Sequence, residues 1–476
     1  MKIKFQNLGS IKKAELDLRP LTVIIGPNNS NKTYIAYSIY GLWKQINTND
    51  AFFLYKRLFE RFSEKLTNEQ QDIISLDINK YFLVFLSEYI EDFVKSFKGN
   101  VLESFFQDSS YKIFKETSFE IEIPENTIRE AINKVLNQSF SSSLKELGIS
   151  KVEYNNEKLL LFLDNPSENA VSRVTRIILL VINEIFSDSL PFPAERNAFI
   201  NTYKLLANRR YKFLKESQRG LFINKNIADN KRLELLREQG DTHYPQPVED
   251  FLDFLSDIEL ENSPDPDPKN KNEFQQLADQ IEEYIQNKNK TKFKNTKFGG
   301  KEIKVSVKRG LEIDLYNASS SIKQLAPLLL YLRYRAKVGD FLVIDEPEMN
   351  LHPESQVKLL EAFSILVNLG VRVLLTTHSP YIMAHLNNIV NGNHEDQEIL
   401  ENQAQSLYLQ DSQAFLKMEQ VSAYEIKENK LLSLHDPDYG IRWDTLSDVS
   451  VDVQQKFFAI YEAGQKNSET NETKEE

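Results

Sequence analysis

The sequence predicts an α/β protein: a mixed β-sheet with a phosphate-loop helix, interrupted by a large helical insertion. Three observations predict it. Residues 21–25 (LTVII) read as a strand, residues 26–33 as a small-residue loop ending in Lys-Thr, and Tyr34, Ile35, Tyr37, Ile39, Tyr40, Leu42 and Trp43 as an apolar helix face. Phe341, Leu342, Val343 and Ile344 run into Asp345 and Glu346, then Pro347. A short apolar run ending in two carboxylates is how a buried parallel strand delivers charge to its carboxyl end. Residues 371–377 (VRVLLTT) form another β-rich run ending at His378, one helix (about residues 356–369) downstream, as expected of an adjacent strand of the same sheet.

Each segment carries candidate chemistry. In Gly26-Pro27-Asn28-Asn29-Ser30-Asn31-Lys32-Thr33, loop N–H groups and the helix amino terminus would cradle phosphates. Lys32 would reach the β and γ phosphates, and Thr33 Oγ would bind Mg²⁺. The pattern G-x-x-x-x-G-K-[ST] has Asn31 at its second glycine. Asparagine tolerates left-handed geometry better than most residues, so the loop should survive with a side chain crowding the phosphates. Asp345 can hold Mg²⁺ or its water shell, and Glu346 can polarise a water for attack on a phosphoryl group. His378 falls where the strands present their carboxyl ends, the usual ligand edge of an open α/β sheet. Ser319, Ser320 and Ser321 precede the apolar helix of residues 326–332. They read either as an ordinary amino-terminal cap or as a serine-rich, anion-binding helix start.

Composition removes several classes. A chain of 476 residues can bury a large core, and 41% apolar with 27% charged residues is the balance of a soluble globular protein. No window reaches the length of a membrane span and the start has no signal-peptide pattern, so a cytoplasmic location without a membrane partner is expected. The absence of cysteine excludes disulfides, thiolate zinc sites and cysteine catalysis, and the six histidines show no metal-ligand spacing. A net charge of −12 argues against a generally basic nucleic-acid glove. Two local clusters, Lys288/Lys290/Lys292/Lys294/Lys297/Lys301 and Arg209/Arg210/Lys212/Lys215/Arg219, can touch a phosphate backbone or simply be solvated.

Along the chain, residues 3–5 and 14–18 read as strands before the loop strand. Residues 34–190 are largely helical, with aromatic stripes (Phe82, Phe85, Tyr89) that read as core, and with strand-like runs at 118–123 and 159–163. A second helical group follows at 197–258, a proline-spaced linker at 263–270, and a hairpin around Arg309-Gly310. Strands are expected at 405–409, 415–420 and 423–426, a helix at 453–461, and a disordered acidic tail at 464–476. The expected divisions are residues 1–45, 46–190, 191–298, 299–390, 391–463 and 464–476.

In order and wording, residues 26–33, 318–325, 341–353 and 377–380 resemble the ABC-type ATPases of the OLD-like group, relatives of the chromosome-maintenance and DNA-repair ATPases. DEPExxLHP followed by TTHSPYI is similar to that group more than to transporter cassettes. Pro191-Phe192-Pro193-Ala194-Glu195-Arg196 resembles a PAER element of its stand-alone members. The resemblance spans roughly residues 1–45 and 300–390. It implies an ABC-type head with a Walker A at 26–33, a signature at 319–324, a Walker B with catalytic Glu346, and a switch histidine, His378. It also implies ATP and Mg²⁺ as cofactors, the metal held by Thr33 and Asp345. Lys32, Glu346 and His378 would act within one chain, and Ser319, Ser320 and Ser321 would close the partner's site in a homodimer or higher oligomer. Asn31 and Ser321 replace two glycines of the family pattern, which points to slow hydrolysis. Glu195 and Arg196 would couple the insertion to the nucleotide. Stand-alone members often work beside a separately encoded nuclease or toxin in bacterial defence against phage, with DNA a further possible partner. The other readings are a non-hydrolysing assembly scaffold, a DNA-associated repair ATPase, and a nuclease. For the last, residues 390–476 offer only Asp436-Pro437-Asp438 in a turn-like context.

Overall fold

The computed structural model describes residues 1–47, 56, 60, 73–77, 83–107, 112–138, 149–154, 158–163, 170–205, 244–260, 270–295, 301–308, 310–442 and 451–461. Its centre is a six-stranded mixed sheet with the spatial order Lys430–Ser433, Val421–Lys427, Leu21–Ile25, Arg372–Thr377, Phe341–Asp345, Ser189–Phe192. The last five run parallel, and Lys430–Ser433 closes the edge as an antiparallel hairpin strand. Register places Ile25 beside Thr377 and Glu425, Thr376 beside Asp345, and Ile344 beside Phe192. Residues from four distant parts of the chain therefore leave the sheet at one edge: Gly26, Glu346, His378 and Pro193.

The strands are apolar on both faces because both faces are covered. Side chains alternate between two cores, as a period of two requires. Leu21, Val23, Ile25, Leu342, Ile344, Val373 and Leu375 join one core with the helices Ser320–Tyr334, Pro353–Asn368 and Pro380–Asn391. Ile24, Phe341, Val343 and Leu374 join the other with the helices Lys32–Asn47, Val84–Ser96 and Ala170–Ile185 and the hairpin Lys2–Leu8/Ile11–Asp17. Each fully buried Val, Leu or Ile contributes about 1.5–3 kcal/mol, which holds the polar residues at the strand ends on a rigid frame. In the helix Lys32–Asn47 a glycine is required by close approach: a β-carbon on Gly41 would lie 2.5 Å from Phe97 Cζ.

Outside the central sheet, Ser118–Glu122 pairs with Lys2–Leu8, and Ile73–Asp77, Lys158–Leu163 and Ile149–Tyr154 form a small antiparallel sheet among the insertion helices. Lys290–Asn295, Lys301–Lys308 and Leu311–Asp314 form another, which leads into the serine-capped helix. The strands expected at 405–409 and 415–420 are absent. The amides of Tyr408 and Leu409 donate instead to the buried Glu361 carboxylate (3.0 and 2.7 Å), and residues 412–414 and 418–420 are short 3₁₀ turns. The cluster Arg209–Arg219, most of the linker 263–270 and the tail 464–476 lie outside the described residues. Among the described residues, no helix is long and apolar enough to cross a membrane.

Candidate functional site

The loop that follows Leu21–Ile25 turns sharply enough that a β-carbon on Gly26 would lie 2.8 Å from Ser30 Oγ. Asn29 and Asn31 take left-handed backbone, φ 62° and 73°, the geometry that asparagine tolerates. The Asn31 side chain does not stay over the loop as the sequence suggests. Its Nδ2 donates to Ser10 Oγ at 2.5 Å, and Ser10 Oγ donates to Asn429 Oδ1 at 2.8 Å. Lys32 opens the helix and is buried, with Nζ donating to Gly26 O (3.1 Å) and Pro27 O (2.9 Å). Burial pushes its pKa below the usual lysine range, while Glu346, Asp345 and Glu348 pull it back up. Ser30 Oγ is buried without a partner, so the loop encloses hydrogen-bonding capacity that its own chain leaves unused.

Asp345 ends its strand almost completely buried. Its Oδ2 accepts from Thr33 Oγ1 at 2.9 Å and its Oδ1 from Thr376 Oγ1. Burial raises its pKa, and the two threonine hydroxyls oppose the rise. Glu346 has left-handed backbone, φ 46°, and its amide donates to Thr376 O at 3.1 Å. Its carboxylate lies 3.2 Å from His378 Nε2, and that hydrogen bond holds its pKa below the usual glutamate value. Glu348 fixes the segment around His378: Oε1 accepts from Thr377 Oγ1 (2.7 Å) and His378 N (2.6 Å), while Oε2 is buried and unpartnered. Ser379 caps the next helix and donates to Gln356 Oε1 at 2.6 Å. His352 and Pro353 start the helix that packs beneath.

Sheet register thus brings Thr33, Asp345, Glu346 and His378 together around Lys32. The serines are placed differently. Ser319 is the amino-terminal cap of Ser320–Tyr334, accepting from Ile322 N, and its Oγ is 3.0 Å from Ser321 Oγ. Among the described residues, none of Ser319, Ser320 and Ser321 hydrogen-bonds to the loop, Asp345, Glu346 or His378. Lys290, Lys292 and Lys294 lie on the exposed face of an edge strand, where Glu312 pairs with both Lys292 and Lys294. Lysines are a common guard on such edges, and Lys297 lies outside the described residues. Sequence reasoning missed Thr376, Glu348 and Gln356. The available signal was a polar pair, Thr376-Thr377, ending an otherwise apolar strand.

Residues 1–383 match the AAA ATPase domain family. The chain belongs to that family. The match contains the loop, the serine-capped helix, the acidic strand end and His378. No curated protein matches the chain. Among solved structures it is similar to the Smc head domain with an extended coiled coil, bound to the C-terminal domain of ScpA, from Pyrococcus furiosus. That likeness has 10% identity and a TM-score of 0.34, over 95% of this chain and 98% of that one. It is also similar to the Smc head domain with a coiled coil and joint from Pyrococcus yayanosii, at 11% identity and a TM-score of 0.32, over 95% and 99%. The family match alone carries the assignment.

An ATPase domain binds a nucleotide, usually with Mg²⁺, and the residues at this edge fit both. The loop offers a buried ammonium and an unpartnered hydroxyl. Thr33 and Asp345 supply hard oxygen donors of the kind that Mg²⁺ takes.

Proposed function

We propose that this AAA ATPase domain is an ATP-hydrolysing switch that dimerises through its nucleotide sites and controls a separate effector. The observation that supports it best is the meeting of Thr33 with Asp345 and of Glu346 with His378 at the edge that carries Lys32. Lys32 would exchange its bonds to Gly26 O and Pro27 O for phosphate oxygens. Thr33 and Asp345 would hold Mg²⁺, which neutralises phosphate charge when bound. Glu346 would orient a water and take its proton as the γ phosphoryl group leaves ADP. His378 would then hold the carboxylate and sense the γ phosphate. Positioning and charge neutralisation supply most of such catalysis.

Among the described residues, Ser319, Ser320 and Ser321 make no hydrogen bond to the loop, Asp345, Glu346 or His378, which agrees with a role across a dimer. Ser321 stands where the family pattern has a glycine, so turnover on this reading is slow, whereas the Asn31 side chain is drawn to Ser10. The effector, a nuclease or toxin in anti-phage defence, rests on the OLD-like resemblance of DEPExxLHP, TTHSPYI and the PAER element. A non-hydrolysing scaffold is the second reading. Ser321 in place of the pattern's glycine favours it, and the meeting of Asp345, Glu346 and His378 at the Lys32 edge opposes it. With Mg-ATP, Glu346→Gln should sediment as a dimer, and with ADP as a monomer. A variant that binds ATP and sediments identically with both nucleotides removes the dimeric switch.

A further inference from the structure

Arg196 opens the helix that follows the edge strand Ser189–Phe192 and its turn, and is buried. It donates to four main-chain carbonyls: Nη1 to Pro193 O (2.9 Å) and Asp345 O (2.8 Å), Nη2 to Glu346 O (3.1 Å), and Nε to Gln324 O (3.3 Å). A guanidinium presents five N–H donors in a planar fork, so one side chain can fix several segments at once. Here it ties the turn that precedes it, the acidic strand end and the second turn of the serine-capped helix. Burial brings its pKa down to about 10, and it remains a cation at neutral pH.

Two of these acceptors bear on the chemistry. Glu346 carries a β-carbon in left-handed backbone, which persists only where surrounding contacts impose it. Its amide is held by Thr376 and its carbonyl by Arg196. Gln324 belongs to the helix that Ser319 caps. Its side-chain amide is buried with neither Nε2 nor Oε1 partnered, so this turn of the helix has hydrogen bonds still to make in another arrangement.

We propose that Arg196 is a positioning residue that couples the serine-capped helix to Glu346, holding the left-handed Glu346 main chain and Gln324 in one hydrogen-bonded unit. A shift of that helix on dimer closure then reaches the carboxylate through a single side chain. The inference rests on the reading of Glu346 as the group that orients water.

The test is steady-state Mg-ATP turnover by full-length Arg196→Ala, Arg196→Lys and Glu346→Gln, each with a melting curve. Arg196→Ala should lower kcat by about tenfold or more with KM within about twofold. Guanidinium, added below concentrations that unfold the parent, should restore part of kcat. Arg196→Lys, with one ammonium for four carbonyls, should fall between. A folded Arg196→Ala at the parent kcat overturns the proposal, as does a loss that tracks the unfolded fraction and ignores guanidinium. If the alanine variant does not fold, parent kcat in Arg196→Lys overturns it equally. Glu346→Gln separates the two levels. Parent turnover there sinks the reading of Glu346 itself, whereas an inactive Glu346→Gln beside fully active Arg196 variants sinks only the coupling.

Discussion

Replacing Lys32 with alanine removes one ammonium from a nearly closed loop. Lys32 is 5% exposed and donates to two carbonyls, Gly26 O and Pro27 O. Hydrogen bonds that involve a charged group contribute about 1.5–3 kcal/mol each. If both are transferred to phosphate oxygens on binding, the variant forfeits about 3–6 kcal/mol, or roughly two to four orders of magnitude in Kd. Stability of the ligand-free protein should change far less. The same burial that lowers the Lys32 pKa makes the charge costly to keep, so its loss offsets the two lost bonds. A melting temperature within about 1–2 °C of the parent is expected, equivalent to roughly 1–2 kcal/mol for a protein of this size. The assay is calorimetric titration with Mg-ATP, with Lys32→Arg as an intermediate that keeps charge and donors. A folded Lys32→Ala with Kd within about threefold of the parent would refute the phosphate-loop assignment.

Asp345→Asn should abolish Mg²⁺-dependent nucleotide binding yet raise the melting temperature of the ligand-free protein near neutral pH. Because burial raises the Asp345 pKa, its favourable contribution is complete below the ordinary aspartate range and is lost as pH rises through the raised value. The advantage of asparagine should therefore grow from acid to neutral pH, and a variant less stable than the parent at neutral pH contradicts this. Asn31→Gly keeps the left-handed backbone and loses only the exposed tie to Ser10, so its turnover should stay within about twofold of the parent. Ser10→Ala should match it, and a gain of about tenfold in Asn31→Gly would restore the crowding argument. Ser321→Gly removes a hydroxyl that meets Ser319 at an exposed helix start and should raise turnover; equal rates would make Ser321 a neutral substitution.

The strands that build the site were legible because buried parallel strands are short continuous apolar runs, as at residues 21–25, 341–345 and 371–377. Their spatial order was not legible, and with it went the pairing that sets Thr376 opposite Asp345. Residue type told the backbone state of Asn31 but not where its amide would go, since Ser10 and Asn429 arrive from opposite ends of the chain. The misread strands at 405–409 and 415–420 share that cause. Periodicity there is local, whereas Glu361 takes the Tyr408 and Leu409 amides from 47 and 48 residues away. Arg196 stood out as part of a motif, yet its four acceptors lie on three segments that only the fold assembles.

The central claim is that Glu346 orients and deprotonates the attacking water at a site that Lys32, Thr33 and Asp345 build. Steady-state release of phosphate from Mg-ATP by the parent and by Glu346→Gln, alongside ATP affinity for both, tests it most directly. Glutamine keeps the shape and can still meet His378 but cannot take a proton, so affinity should be retained while turnover falls by about 10²-fold or more. A Glu346→Gln protein that hydrolyses ATP at the parent rate would contradict the account.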